Sequence, residues 1–119
     1  MTETDISELE WLLWKICPKA SRERYLALLS KEKSWKKLCD ILNHSFNYSS
    51  EYVVKSLNVP EITPCVLLVD KNPHILRMPF SMAIEEMDSF FFGSLFACKH
   101  LKIGGFKSET PSSIVWFKI

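Results

Sequence analysis

Residues 60–69 read PEITPCVLLV, and the pattern of apolar residues changes across this stretch. Before Pro60 the apolar residues recur at intervals of three and four, which predicts amphipathic helices. After Pro64 they occur in short runs rich in Val, Ile and Phe, which predicts β-strands. Because the helices precede the strands and do not alternate with them, the sequence predicts an α+β domain. We expect three or four N-terminal helices packed on a mainly antiparallel sheet of four or five strands.

The composition is that of one ordinary globular domain. The chain has 119 residues, of which 47% are hydrophobic and 24% charged, and this excludes disordered and fibrous proteins. We assign residues 1–119 to a single domain, with a helical part at about 5–58 and a sheet part at about 63–119. No apolar run reaches the roughly 20 residues that cross a bilayer, and the acidic start MTETDISELE is unlike an export signal. The sequence therefore predicts a cytoplasmic protein without a membrane segment.

Three helices are predicted in the first half of the chain. Asp5 and Glu8 have the spacing of a capping box at the start of the first helix, and Pro18 marks its end. Ser21 and Ser34 are the expected N-cap residues of the second and third helices, because a serine hydroxyl can accept a free backbone N–H there.

The rest of the chain predicts mainly strands. Residues 50–57 fit either a short fourth helix or a strand, since one Tyr and two Val within them favour a strand. Residues 65–69 predict a strand buried on both faces, followed by a return strand at 74–78 and a helical turn at 81–87. Three further strands, connected as a meander, are predicted at 90–97, 101–107 and 113–119.

Two features of the predicted sheet admit alternatives. Gly104 and Gly105 fit either a hairpin turn or a bulge where the strand bends. Phe90, Phe91 and Phe92 would point to alternate faces of a strand. Either both faces of the sheet are covered there, or an exposed ring belongs to an interface or a ligand pocket.

The charges are segregated along the chain. Residues 1–14 carry four acids and no base, whereas residues 15–37 carry eight bases against Glu23 and Glu32. Such a region, with tryptophans nearby, is a candidate binding surface for an acidic protein or a phosphate backbone. The alternative interpretation is that the charges form the solvated faces of amphipathic helices and are paired locally or with the acidic first segment. The candidate binding residues are Lys15, Lys19, Arg22, Arg24, Lys31, Lys33, Lys36, Lys37, Trp11, Trp14 and Trp35.

No motif in the sequence indicates a catalytic, metal or nucleotide site. The four cysteines lack the C-x-x-C spacing of zinc and redox sites, so we expect reduced core thiols and no disulfide. Cys98 with His100 and Asp70 with His74 are the nearest approaches to a reactive pair. Two residues on one strand lie about 7 Å apart, however, and an Asp in a turn usually bonds to the backbone. We therefore expect no catalytic residue, no metal and no cofactor.

The sequence predicts a small non-catalytic domain that binds another protein through the basic and aromatic surface. A regulator, an adaptor or an inhibitor of the toxin-immunity kind would have these properties. The main alternative is a nucleic-acid-binding regulator that uses the basic helices at 15–37, although the pI of 7.7 is low beside the value above about 9 that such domains often have. A third hypothesis is a small enzyme or small-molecule binder near Cys98 or His74. Both a monomer and a homodimer are compatible with the sequence.

Overall fold

Three helices precede the sheet in the computed structural model, which describes residues 3–89, 93–108 and 113–119. These are α1 (Glu3–Ile16), α2 (Lys19–Leu29) and α3 (Trp35–Ser45), and a single 3-10 turn at Glu32–Ser34 leads into α3. A fourth helix, α4 (Phe80–Ser89), lies between two strands.

Six strands form one antiparallel sheet in the order β1-β6-β5-β4-β2-β3. The α+β class is confirmed, with more strands than the four or five expected, and β4, β5 and β6 form the expected meander. The strands are β1 (Val53–Val54), β2 (Pro64–Val69), β3 (His74–Pro79), β4 (Ser94–Cys98), β5 (Ile103–Lys107) and β6 (Ile114–Lys118).

Helices cover both faces of this sheet. Leu9, Leu13 and Ile16 of α1 are fully buried at the spacing that the sequence showed, and they share a core with α2, α3 and one face of the sheet. On the other face, Met87 of α4 belongs to a second core that includes Phe96 of β4. Every residue of β4 is buried, as are residues 65–69 of β2, which confirms the prediction of a strand covered on both faces.

The expected cap of α2 is wrong. The helix begins at Lys19, directly after Pro18, whose carbonyl accepts the N–H groups of Ser21 and Arg22 at 3.0 and 3.1 Å. Ser21 therefore lies inside the first turn. Ser34 does occupy the N-cap position of α3, but its side chain makes no capping hydrogen bond.

The expected capping box is also wrong, because α1 begins at Glu3 and contains both Asp5 and Glu8. Their carboxylates bind Arg77 of the edge strand β3. Arg77 donates from Nε to Oδ1 of Asp5 at 2.9 Å and from Nη2 to Oε1 of Glu8 at 2.7 Å. The two ion pairs connect the start of α1 to the edge of the sheet. Asp5 is buried at this contact.

We expect Arg77→Met to destabilise the protein by about 1–2 kcal/mol. Asp5 would remain buried without its cation, whereas solvent still screens the charge of Glu8, which is more exposed than Asp5. Urea unfolding monitored by circular dichroism measures the loss. Arg24→Met is the matched control, since Arg24 is exposed and has no ion pair among the described residues. Equal stability of the two variants would contradict a structural role for the Arg77 pairs.

The alternative of a fourth helix at 50–57 is wrong. Val53 and Val54 form β1 and pair with Phe117 and Trp116 of β6. The two valines suit a strand, and the edge of β6 supplies a partner that a local pattern cannot show. The last of the three N-terminal helices ends at Ser45, eight residues before β1 begins at Val53.

Gly104 and Gly105 form neither a hairpin turn nor a bulge. Both lie within β5 in continuous register with its neighbours, and the turn between β4 and β5 is at residues 99–102. A Cβ on Gly104 would collide with the side chain of Leu12, and one on Gly105 with the ring of Phe96. The glycines are needed because α1 and a neighbouring aromatic ring approach the strand closely. The prediction about Phe90, Phe91 and Phe92 lies outside the described residues.

Candidate functional surface

The eight bases of region 15–37 remain on the surface. Seven are exposed and Arg22 is half-buried. Both ion pairs found among residues 3–89, 93–108 and 113–119 belong to Arg77, so none of the eight bases has an acidic group of this part of the chain within 4.0 Å. Asp5 and Glu8, the acids that could have neutralised them, bind Arg77 instead. The basic region is therefore an uncompensated positive surface.

Trp35 does not belong to this surface. Its side chain is 2% exposed, and its indole N–H donates to the carbonyl oxygen of Leu29 at 2.8 Å. This bond connects the first residue of α3 to the last residue of α2. Trp35 is a core residue that joins two helices and is not available to a partner.

Trp14 is the exposed tryptophan of the three candidates, with 49% of its surface accessible, and Arg22 lies over its ring. The guanidinium carbon is 4.1 Å from the ring centroid, a cation–π distance. Cys17 and Pro18 alone separate α1 from α2, which places the end of one helix beside the start of the next. The Nε–H of Arg22 is buried and has no hydrogen-bond partner among the described residues. Arg22 is therefore held by stacking on Trp14 and not by a carboxylate.

A shallow groove, here called the hairpin groove, runs between α1 and α2. It has a volume of about 250 Å³ and continues past Ser7 and Glu10 into a second hollow of about 400 Å³ that reaches Ser30. Its walls combine the two tryptophan side chains with Leu26, and its rim is polar. The groove is lined by Ser7, Glu10, Trp11, Trp14, Leu26 and Lys99.

The bases fall into two groups. Lys19 and Arg22 are three residues apart and share the side of α2 that faces α1, whereas Arg24 lies on the opposite side of the helix. Lys15 stands in the last turn of α1, at the same end of the hairpin. The second group surrounds the start of α3 and consists of Lys31, Lys33, Lys36 and Lys37. The structure thus brings Trp11, Trp14 and Arg22 together but not Arg24 or Trp35.

Four residues of the hairpin groove were not predicted as site residues. Leu26 had no predicted binding role, although its spacing of four from Arg22 indicates the same helix side. Ser7 and Glu10 belong to the acidic segment, which had no predicted binding role. Lys99 comes from the turn after β4, and no local pattern could connect it to α1.

The structure does not assemble the reactive pairs. Cys98 is 1% exposed and lies beside Cys65, whereas His100 is in an exposed turn. Burial, and then the neighbouring Cys98 thiol, raises the pKa of Cys65 to about 12, so this thiol stays protonated at neutral pH. His74 lies two strands away from Cys98 and is displaced from it by four residues along the strands, an offset of about 13 Å in that direction alone. The geometry offers no nucleophile beside a base at Cys98.

Asp70 and His74 have separate structural roles. The Nδ1 of His74 lies 2.8 Å from the backbone oxygen of Asn72, so the ring donates to its own turn and not to Asp70. Asp70 ends β2 near α3, where burial and then the charge of Asp40 raise the pKa of its carboxyl. Ionisation of Asp70 therefore costs more free energy in the folded protein than in the unfolded chain.

We expect Asp70→Asn to raise the melting temperature at pH 7, because the asparagine carries no charge to bury beside Asp40. The folded protein holds the Asp70 proton more tightly than the unfolded chain. The wild type therefore loses stability relative to the variant as pH rises from the unfolded pKa to the raised folded pKa. Melting curves from pH 3 to 8 should show the gain shrinking toward acid. Asp88→Asn, which removes an exposed carboxylate, is the control, and an equal or constant gain would contradict the prediction.

Comparison with protein families, curated proteins and solved structures found no significant match. Within the described residues, no helix is long and apolar enough to cross a membrane. The same part of the chain holds no group of three or more His, Cys, Asp or Glu side chains placed to bind a metal ion. The basic surface and the hairpin groove are the two candidate binding features of the described residues.

Proposed function

We propose that this protein is a non-catalytic recognition domain that binds an acidic surface of another protein. The observation that carries the proposal is the uncompensated charge of region 15–37. Its eight bases and two acids give a local charge of +6 on a chain whose net charge is +1, and Asp5 and Glu8 of α1 bind Arg77 and not these bases.

Clustered like charges do not stabilise a fold, because they repel one another. They do accelerate association with a partner of opposite charge and disfavour partners of the same charge. Trp14 and Arg22 add the two residue types that most often dominate binding energy at protein interfaces. A regulator, an adaptor or an inhibitor of the toxin-immunity kind would use such a surface.

The surface is less suited to a nucleic acid. One face of the Trp14 ring is occupied by Arg22, and Trp35 is buried, which leaves little aromatic surface on which bases could stack. Glu23 and Glu32 are exposed among the bases, and a phosphate backbone would carry continuous negative charge past them, whereas the carboxylates of a protein surface are separate. Nuclease treatment in the following experiment distinguishes a nucleic-acid partner from a protein partner.

The test compares charge reversal on the basic surface with the same reversal elsewhere. Tagged protein is expressed in its own host and purified at low salt, with and without nuclease treatment, and the bound proteins and nucleic acids are quantified by mass spectrometry. One variant carries K31E, K33E, K36E and K37E, and the control carries K55E, K71E, K102E and K118E, all at exposed positions.

We expect a stoichiometric acidic protein with the wild type and with the control, and its loss with the first variant and at high salt. Retention of the partner by the first variant would contradict the proposal. A bound species that disappears on nuclease treatment would identify a nucleic-acid-binding protein instead.

A further inference from the structure

We infer that the hairpin groove binds an acidic segment of the partner protein that carries an aliphatic side chain next to its carboxylates. The carboxylates bind Arg22 and its neighbouring lysines, and the aliphatic side chain packs on Trp11, Trp14 and Leu26. This inference rests on the proposed function and specifies the partner's chemistry at one site.

Arg22 is the carboxylate-binding group because its geometry is already set. Its guanidinium is stacked on Trp14 at 4.1 Å, and no acid of the described residues lies within ion-pair distance of it. A guanidinium presents a planar fork of N–H donors that matches a carboxylate. An arginine held in place by stacking loses less side-chain entropy on binding than a free one. Lys19, on the same side of α2, and Lys15, at the same end of the hairpin, add positive charge there.

The apolar lining of the groove favours an apolar side chain of the partner. Trp11 and Leu26 are half-buried and Trp14 is half-exposed, so apolar surface remains accessible between the helices. The part of the groove between these side chains has a volume of about 250 Å³, which is enough for one or two aliphatic side chains. Because the groove is shallow and continues past Ser7 and Glu10, it suits a protein segment that lies along it better than a separate metabolite.

The positive charge is concentrated at one end of the groove, and this determines the arrangement of the bound segment. The bases Lys15, Lys19 and Arg22 are at the closed end of the hairpin, whereas one acid, Glu10, and one base, Lys99, line the groove further along. The partner's acids are therefore attracted to the closed end more strongly than to positions beside Glu10. The bound segment therefore has its acids at the closed end of the hairpin and its aliphatic residue on Trp11, Trp14 and Leu26. This arrangement disfavours a polyanion that is charged along its whole length.

The test uses synthetic 12-residue peptides and the full chain. The first peptide has four Glu followed by two Leu and a neutral Ser/Gly tail; a second has both Leu replaced by Ser, and a third has all Glu replaced by Gln. Isothermal titration at low salt measures affinity, and the Trp indole N–H signals in ¹⁵N NMR spectra locate binding. The protein variants are Arg22→Gln and, as the control outside region 15–37, Lys71→Gln in the exposed turn after β2, with folding checked by thermal melts.

We expect the Glu–Leu peptide to bind and to shift the Trp14 indole signal. Arg22→Gln should weaken binding by at least about tenfold, as expected for the loss of a charge-assisted pair, and Lys71→Gln by less than about twofold. No binding of this peptide, equal affinity for the Leu-to-Ser peptide, or equal effects of the two protein variants would overturn the inference. Loss of the cellular partner with the lysine reversals but not with Arg22→Gln would overturn the groove while leaving the proposed function intact. Loss of the partner with Arg22→Gln but not with the lysine reversals would support the groove and contradict a role for Lys31, Lys33, Lys36 and Lys37.

Discussion

Gly93→Ala is expected to lower the free energy of unfolding by about 2–5 kcal/mol. Gly93 has a φ of +71°, which an alanine adopts only at a cost of about 1–2 kcal/mol. An added Cβ would also collide with the backbone carbonyl of Cys39 in α3, which cannot rotate away as a side chain can. The backbone of Gly93 is held in turn by its N–H bond to the oxygen of Lys107 at 2.8 Å. Relief therefore requires α3 or the start of β4 to move.

Gly104→Ala is the matched control, since it adds the same methyl group at a residue without positive φ. There the collision is with the side chain of Leu12, which can change rotamer, so the loss should be smaller by about 1–2 kcal/mol. Chemical denaturation of both variants measures the difference. A Gly93→Ala protein as stable as the Gly104→Ala protein would contradict the close approach of α3 to β4.

Trp35→Ala is the second large effect, with an expected loss of about 3–5 kcal/mol. The indole is almost fully buried between α2 and α3, and removing it leaves a cavity. It also removes the bond to the carbonyl of Leu29, the last residue of α2, which would be left without its donor.

Two variants separate these contributions. Trp35→Phe keeps most of the packing but lacks the N–H, so its loss should lie between those of the wild type and Trp35→Ala. Trp14→Ala removes the same side chain where it is half-exposed and should cost less than about 1 kcal/mol. Thermal melts of the three variants measure the order, and similar losses for Trp14→Ala and Trp35→Ala would show that Trp35 is not the core residue described above.

Local patterns predicted most of the elements because their physical cause is local. The spacing of Leu9, Leu13 and Ile16 places them on one side of any helix, and residues 65–69 contain too many apolar side chains for a strand with a wet face. The two valines of β1 were ambiguous because a strand of two residues is stable only beside a partner, and that partner, β6, is about 60 residues later in the chain.

The candidate surface was predicted in part. The charge of region 15–37 is a property of composition, and it remains on the surface because lysine and arginine rarely lose their hydration without a partner. Which tryptophan is exposed depends on what lies opposite each helix. Trp14 and Trp35 occur in similar sequence contexts, but Trp35 meets the end of α2 and Trp14 meets the solvent and Arg22.

The sequence by itself determined the α+β class, the position of three helices before the strands, and the positive charge of region 15–37, because these depend on composition and on the spacing of neighbouring residues. Only the tertiary structure decided that Asp5 and Glu8 bind Arg77 instead of capping a helix, and that Gly104 and Gly105 accommodate Leu12 and Phe96. It also created the hairpin groove, in which Lys99 joins α1 and α2. Each of these contacts joins residues far apart in the chain, and their distances follow from packing, which the local sequence pattern does not encode.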